Sequence, residues 1–330
     1  MPTVVITPEV LFQQEGPHIE MLRQSGFEVR FPHRGGLTEE TETIEAVREA
    51  AATIAGSEPY TERVLAALPN LRVISRWGVG VDCIDLDAVT RHGVAVAITP
   101  GSNHEAVAEH TIAMLLALIR SLARQNREIR RGVWNKVPLL PMRGRTLGLI
   151  GMGRIGQSVA VRAAPFRLRL VAYDPVPDRA FAQTHSIELV DLDTLLGEAD
   201  YVSLHLPLTP STSGLINRET LSRMKPGSFL VNTARGGLIV EEHLLAALQS
   251  RHLAGAGLDV FAQEPPSPAN PLLALENVLV TSHLAGVDVQ SSMDMAVQAA
   301  QSIIDLHQGR WPHQTVVNSS IRPGWQWRTS

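Results

Sequence analysis

Arg235, Glu264 and His283 are the side chains of this sequence best suited by type and setting to act on a small acid. Arg235 lies in Asn232-Thr233-Ala234-Arg235-Gly236-Gly237, where two glycines let the chain turn and leave the guanidinium room to face a ligand. Its planar fork suits two-point contact with a carboxylate. His283 follows an apolar run and precedes Ala285-Gly286. An imidazole there could give a proton to a developing alkoxide and take it back in reverse. Glu264, in Gln263-Glu264-Pro265-Pro266, could bond such a histidine, fix its orientation and favour its charged form. Each also has a plain reading: a surface arginine beside a turn, a strand-end histidine bonded to backbone, a solvated loop acid. They gain weight only together.

A second constellation, Gly151-Met152-Gly153-Arg154-Ile155-Gly156, lies between a strand-like run (Thr146 to Ile150) and a helix-like one (Gln157 to Ala164). A further apolar run, Leu168 to Tyr173, ends in Asp174. Strand, glycine turn, helix, strand and acid, in that order, form the dinucleotide-binding fingerprint. Gly151 permits a tight turn, Gly153 lets backbone approach a pyrophosphate, and Gly156 lets the helix pack on the strand. Free N–H groups at the helix start face phosphate charge. Asp174 can accept from an adenosine ribose and, with no cation in Tyr173 or Pro175, argues for NAD over NADP. A third candidate, Trp77-Gly78-Val79-Gly80, could present backbone N–H groups to a substrate anion, with Arg76 adding charge; the alternative is a plain turn.

The elements that must position these residues form two strand–helix alternations. In the first hundred residues, β-rich runs at 4–6, 27–31, 53–55, 72–75 and 94–98 alternate with helical stretches such as 42–52 and 61–68. A long helix from Ser102 or Asn103 to about Arg131 follows the Pro100-Gly101 break; its apolar middle belongs between domains or subunits. Residues 134–144 read as a connecting loop. The second alternation has strands at 146–150, 168–173, 201–205, 228–232, 255–259 and 278–281, then a last helix at about 291–307. Ligands of open α/β sheets bind beyond the C-terminal strand ends, which singles out Asp174, His205, residues 232–235, Asp259 and Ser282-His283. The expected fold is α/β, with two Rossmann-like doubly wound parallel-sheet domains facing an interdomain cleft. A smaller flavodoxin-like substrate domain takes residues 1–100 and 290–330. A larger NAD-binding domain takes 101–289, including the linking helix 102–131.

Composition narrows the function classes. The 330 residues are 44% hydrophobic and 19% charged, with a net charge of −4 and one cysteine, Cys83. That excludes a disulfide framework and fits a reducing cytoplasm. No basic block invites nucleic acid or an anionic membrane, and no apolar run approaches a membrane span. His104-Glu105 and Glu109-His110 lack the spacing of a helical zinc site, so no metal is expected.

Taken together, the motifs resemble the D-isomer-specific 2-hydroxyacid dehydrogenases over nearly the whole chain. The likeness runs through Arg76–Asp85, Gly101–Glu109, Gly148–Gly156, Val202–Asn217, Lys225–Gly237, Ala254–Pro265 and Ser282–Gly286, and leans towards the phosphoglycerate dehydrogenase-like branch. The resemblance implies hydride transfer between a nicotinamide and C2 of a 2-hydroxy or 2-oxo acid. It makes Arg235 the substrate arginine, His283 the acid/base, Glu264 its partner, and Gly78–Gly80 the grip on the substrate carboxylate. Cofactor contacts then fall on Arg154, Ile155, Asp174, Pro207, Thr233, Asp259 and His283 to Gly286. Gly151, Gly153, Gly156, His205 and Ala234 complete the expected cofactor set, and Arg76 and Trp77 the substrate set. A cytoplasmic homodimer is expected. The chain departs from the branch pattern at Trp77, Cys83, Arg167 and Ser282; Arg167 stands where a glycine would cap a helix, so that helix should lose its easiest left-handed end. Alternatives are a glyoxylate or hydroxypyruvate reductase, a non-catalytic NAD(H)-sensing corepressor-like protein and, less well matched, a formate dehydrogenase.

Overall fold

Among the described residues, the strands pair in parallel, in two separate sheets. A computed structural model describes residues 1–327; residues 328–330 of the expected first domain lie outside the described residues. The chain divides into two units, Met1–Asn103 with the chain from Asp288 on, and His104–Val287.

The first unit contains β1 (Thr3–Ile6), α1 (Pro17–Gln24), β2 (Glu28–Arg30), α2 (Glu40–Val47), β3 (Ala52–Ala55), α3 (Glu62–Ala66), β4 (Val73–Arg76), α4 (Leu86–Arg91) and β5 (Ala95–Ala97). Strand order is β2-β1-β3-β4-β5. Side chains alternate between faces along a strand, so two cores form. Val4, Ile6, Ile54 and Val73 join α1 in one core, while Val5, Ala55, Ile74 and Val96 join α3 and α4 in the other.

The second unit runs α5 (His104–Ile119), α6 (Leu122–Arg130), β6 (Thr146–Ile150), α7 (Arg154–Ala163), β7 (Arg169–Tyr173), α8 (Arg179–Thr184), β8 (Glu188–Leu189), α9 (Leu192–Glu198), β9 (Tyr201–Leu204), α10 (Arg218–Arg223), β10 (Ser228–Asn232), α11 (Glu241–Gln249), β11 (Leu253–Leu258) and β12 (Val278–Val280). Strand order is β12-β11-β10-β9-β6-β7-β8. The order reverses at β6, which pairs with both β7 and β9, and ligands of such sheets bind at that switch. α12 (Val289–His307) returns to the first unit, and Val317 N then donates to Val96 O while Thr315 O accepts from Ile98 N, an isolated antiparallel bridge at the edge of β5.

Both doubly wound sheets agree with expectation; the differences are local. The stretch 102–131 is not one helix. It breaks after Ile119, where Ser121 takes φ 49°, and α6 leaves at a 56° bend. α5 buries its apolar middle, but α6 buries nothing. The two-residue β8 was too short to register as a strand. Arg167 itself adopts the left-handed conformation (φ 59°, ψ 41°), so the turn expected to be lost with glycine is kept by an arginine. Among the described residues no single helix is long and apolar enough to cross a membrane.

Candidate active site

The second unit gathers its candidate residues on one edge of its sheet, because parallel strands end together. Asp174 follows β7, His205 follows β9, Thr233 to Arg235 follow β10, Asp259 follows β11 and His283 lies just past β12.

The glycine turn follows β6. Gly151 has φ 105°, and a Cβ there would meet the His205 carbonyl carbon at 2.6 Å, so the turn lies directly on the end of β9. At Gly156 a Cβ would come within 2.1 Å of the Gly151 oxygen. Gly153 differs: its φ is −69°, and a Cβ there would meet nothing within 4 Å. Nothing inside the described protein calls for glycine there, whereas a pyrophosphate brought against the backbone would. Among the described residues, the N–H groups of Gly153 to Gly156 also have no protein acceptor. The turn therefore fits a dinucleotide. Asp174 Oδ2 accepts from Met152 N at 2.7 Å and Oδ1 from Val176 N at 2.8 Å, so the acid expected at the ribose also closes the glycine turn.

His283 and Glu264 meet. His283 Nδ1 lies 2.6 Å from Glu264 Oε2, while Glu264 Oε1 accepts from Phe261 N at 2.9 Å. A carboxylate can only accept here, which assigns the proton to Nδ1 and leaves Nε2 uncommitted among the described residues. His283 has φ 52°, a left-handed conformation that costs a non-glycine residue energy and must be imposed by its surroundings. Asp259 imposes it. This acid is 1% exposed, and its carboxylate accepts from Thr281 Oγ1 (2.5 Å), Leu284 N (3.0 Å) and Ala285 N (2.9 Å). Asp259, expected at the cofactor, is thus the anchor of the histidine loop. His110, which lacks the spacing of a zinc ligand, joins that anchor through Thr281 Oγ1 at 3.1 Å.

Arg235 is brought close by backbone contact. A Cβ on Gly236 would fall 1.9 Å from the Phe261 carbonyl carbon, so only glycine lets the Arg235 loop lie against the loop that leads to Glu264. Asn232 fixes both ends of the arginine turn: its Nδ2 donates to Arg235 O at 2.8 Å and its Oδ1 accepts from Ala234 N at 3.0 Å. Asn232 was expected only as a strand-end polar residue. Thr233 is buried, 2.8 Å from Thr111 Oγ1. Pro207 and Arg154 are exposed, and Ile155 and Gly286 half-buried. Both ring nitrogens of His205 are buried without a partner among the described residues, and burial pushes its pKa down to about 3, so it is a neutral imidazole.

In the first unit, two expectations need correction. Arg76 does not present its guanidinium to a ligand. It is 8% exposed and donates to Gly80 O at 2.8 Å and Ala55 O at 3.2 Å. The Trp77 indole is likewise engaged, donating to Ser292 O at 2.9 Å and packing on a core cluster. Only the turn itself keeps backbone donors: among the described residues, Val79 N and Gly80 N have no protein acceptor.

Residues 112–285 match the model of the D-isomer specific 2-hydroxyacid dehydrogenase, NAD binding domain. The chain belongs to this family. It is 36% identical over 307 residues to a D-3-phosphoglycerate dehydrogenase of Archaeoglobus fulgidus, covering 92% of this chain and 58% of the relative. A glyoxylate reductase of Korarchaeum cryptofilum is 40% identical over 294 residues, covering 86% of this chain and 88% of the relative. A protein of Thermus thermophilus of known crystal structure superposes with a TM-score of 0.86 at 39% identity, covering 96% and 100% of the two chains. The chain spans about half the length of several phosphoglycerate dehydrogenases it matches. The matched domain makes NAD the dinucleotide of the second unit.

Proposed function

We propose that this protein is an NAD-dependent D-2-hydroxyacid dehydrogenase acting reversibly on a small 2-hydroxy or 2-oxo acid. The observation that carries this reading is the 2.6 Å contact between His283 Nδ1 and Glu264, on a loop in backbone contact with that of Arg235. NAD(H), when bound, supplies or accepts the hydride at C2 of the acid. Gly151, Gly153, Arg154, Ile155 and Gly156 would hold its pyrophosphate, Asp174 its adenosine ribose, and His205, Pro207, Thr233, Ala234 and Gly286 would complete its site. Asp259 serves it by holding the loop. In reduction, His283 Nε2 holds the proton that passes to the carbonyl oxygen, and takes it back in oxidation. Glu264 keeps the ring in the tautomer and orientation this needs. Arg235 pairs with the carboxylate of the acid. In the first unit, Val79 N and Gly80 N are backbone donors suited to a carboxylate.

Because Arg76 is bonded to two carbonyls, it does not supply the cation a phosphorylated acid would want. That favours compact substrates such as glyoxylate or hydroxypyruvate over phosphoglycerate. Leu122, Ile129, Val133, Trp134 and Val137 are apolar side chains exposed within one stretch of sixteen residues, with Trp134 76% exposed, which supports a homodimer as the working form. The single cysteine supports a cytoplasmic setting.

The deciding experiment is NADH oxidation with a panel of 2-oxo acids, repeated with NADPH. Turnover with NADH preferred is expected. Tight NADH binding without turnover on any acid would instead favour a sensing protein, and a preference for NADPH would overturn the role given to Asp174.

A further inference from the structure

The glycine turn of the first unit is pinned at both ends. At its near end, Gly78 N donates to Thr99 Oγ1 at 3.0 Å, and Gly78 O accepts from Thr99 N and Oγ1 at 3.0 and 3.1 Å. At its far end, Gly80 O accepts from Arg76 Nε at 2.8 Å. The same guanidinium reaches back through Nη1 to Ala55 O, the last residue of β3. Arg76 itself ends β4. One rigid, planar cation thus ties two strand ends to the turn, and the two donors between the pins, Val79 N and Gly80 N, stay without a protein acceptor among the described residues.

Just past the end of β3 lies a buried carboxylate. Glu58 is 1% exposed, and its Oε1 accepts from Thr7 Oγ1 at 2.5 Å and Tyr60 Oη at 3.0 Å. Its Oε2 is buried with no partner among the described residues. Burial pushes the Glu58 acid upwards, and the charge of Arg76 opposes that shift. Thr7 Oγ1 also accepts from Gly56 N at 3.0 Å, so the network extends to the residue after β3. Taking a guanidinium out of water is costly unless hydrogen bonds compensate it, and the Gly80 and Ala55 carbonyls each accept one from Arg76.

We propose that Arg76 is a positioning residue for substrate binding: through the Gly80 carbonyl it holds Val79 N and Gly80 N as a preset cradle for a carboxylate, and the Glu58–Thr7–Gly56 bonds brace the β3 end whose Ala55 carbonyl holds Arg76. The inference rests on the function proposed above. A lysine at position 76 keeps the charge but cannot reach Gly80 O and Ala55 O at once with a planar fork, so it separates charge from geometry.

The test uses R76K and E58Q in the full chain with two readouts. Amide exchange of the segment 77–82, followed without substrate, reports the turn directly. Steady-state kinetics with the best 2-oxo acid report its use. For R76K we expect exchange in 77–82 to speed up by about tenfold, the KM of the acid to rise by about tenfold, and kcat and the KM for NADH to stay within about twofold. E58Q is expected to move both readouts in the same direction by less. Unchanged exchange in both variants overturns the proposal. So does a fall in kcat at constant KM, which would make Arg76 part of the chemistry, or a uniform loss of all parameters with a lower melting temperature, which would make it a fold residue only. Should the wild type turn over no 2-oxo acid, the proposed function fails, while exchange in 77–82 still decides whether Arg76 holds the turn.

Discussion

Under the proposed function, His283 would be prepared for proton transfer by what it cannot do. Its Nδ1 is committed to Glu264, its backbone is held left-handed by the Asp259 bonds, and only Nε2 is left to act. H283A is expected to lower kcat by about 10²–10⁴-fold with little change in NADH affinity, measured by stopped-flow turnover and fluorescence titration. E264Q keeps an acceptor but loses the charge, and a smaller fall, of about tenfold, is expected. Activity near that of the wild type in H283A would remove the acid/base assignment. The sequence was informative here because Arg235 and His283 follow strands and Glu264 precedes two prolines, all positions that place polar groups at a sheet edge. It was uninformative at Arg76 and Trp77. An arginine facing a ligand and one bonded to carbonyls look alike in one dimension, since the deciding partners, Ala55 O, Gly80 O and Ser292 O, are backbone atoms with no signature of their own.

Among the elements, the turn from β6 to α7 separates two reasons for glycine. G156A would drive a methyl to within 2.1 Å of Gly151 O, whereas G153A meets nothing within 4 Å. G156A is therefore expected to lower the melting temperature of the apoprotein by several degrees, corresponding to about 1–3 kcal/mol. G153A should leave that temperature unchanged and weaken NADH binding, by about tenfold or more. Differential scanning fluorimetry with and without NADH reads both; equal behaviour of the two variants would refute the separation. The strand–turn–helix pattern was legible because its periods change from two to 3.6 at the glycines. The break between α5 and α6 was not. Arg120-Ser121-Leu122 contains neither glycine nor proline, and the left-handed Ser121 is set by where the buried face of α5 runs out.

At the scale of the whole molecule, pH reaches stability through buried imidazole. His205 is held neutral by burial, with its pKa near 3 in the folded state against the usual 6.5. Between those values the unfolded chain binds a proton the folded one refuses, so stability falls as pH drops through that window, by at most about 1.4 kcal/mol per pH unit from this group. His18, lowered by burial as well, adds a slope of the same sign. H205N should flatten the decline in melting temperature between pH 7 and pH 5, measured without NAD; an unchanged slope would show that other groups control acid stability.

Local pattern alone determined the two parallel sheets, the dinucleotide turn and the three candidate catalytic side chains, because strand and helix periods, glycine conformations and strand-end polarity are properties of short stretches. Tertiary structure decided which of the polar residues are bonded to the backbone and which are brought together. It made Asp259 an anchor, turned Arg76 inward and left α6 and Trp134 uncovered. The physical reason is that a hydrogen-bond partner distant in sequence, most often a backbone carbonyl or amide, is chosen only when the chain has folded.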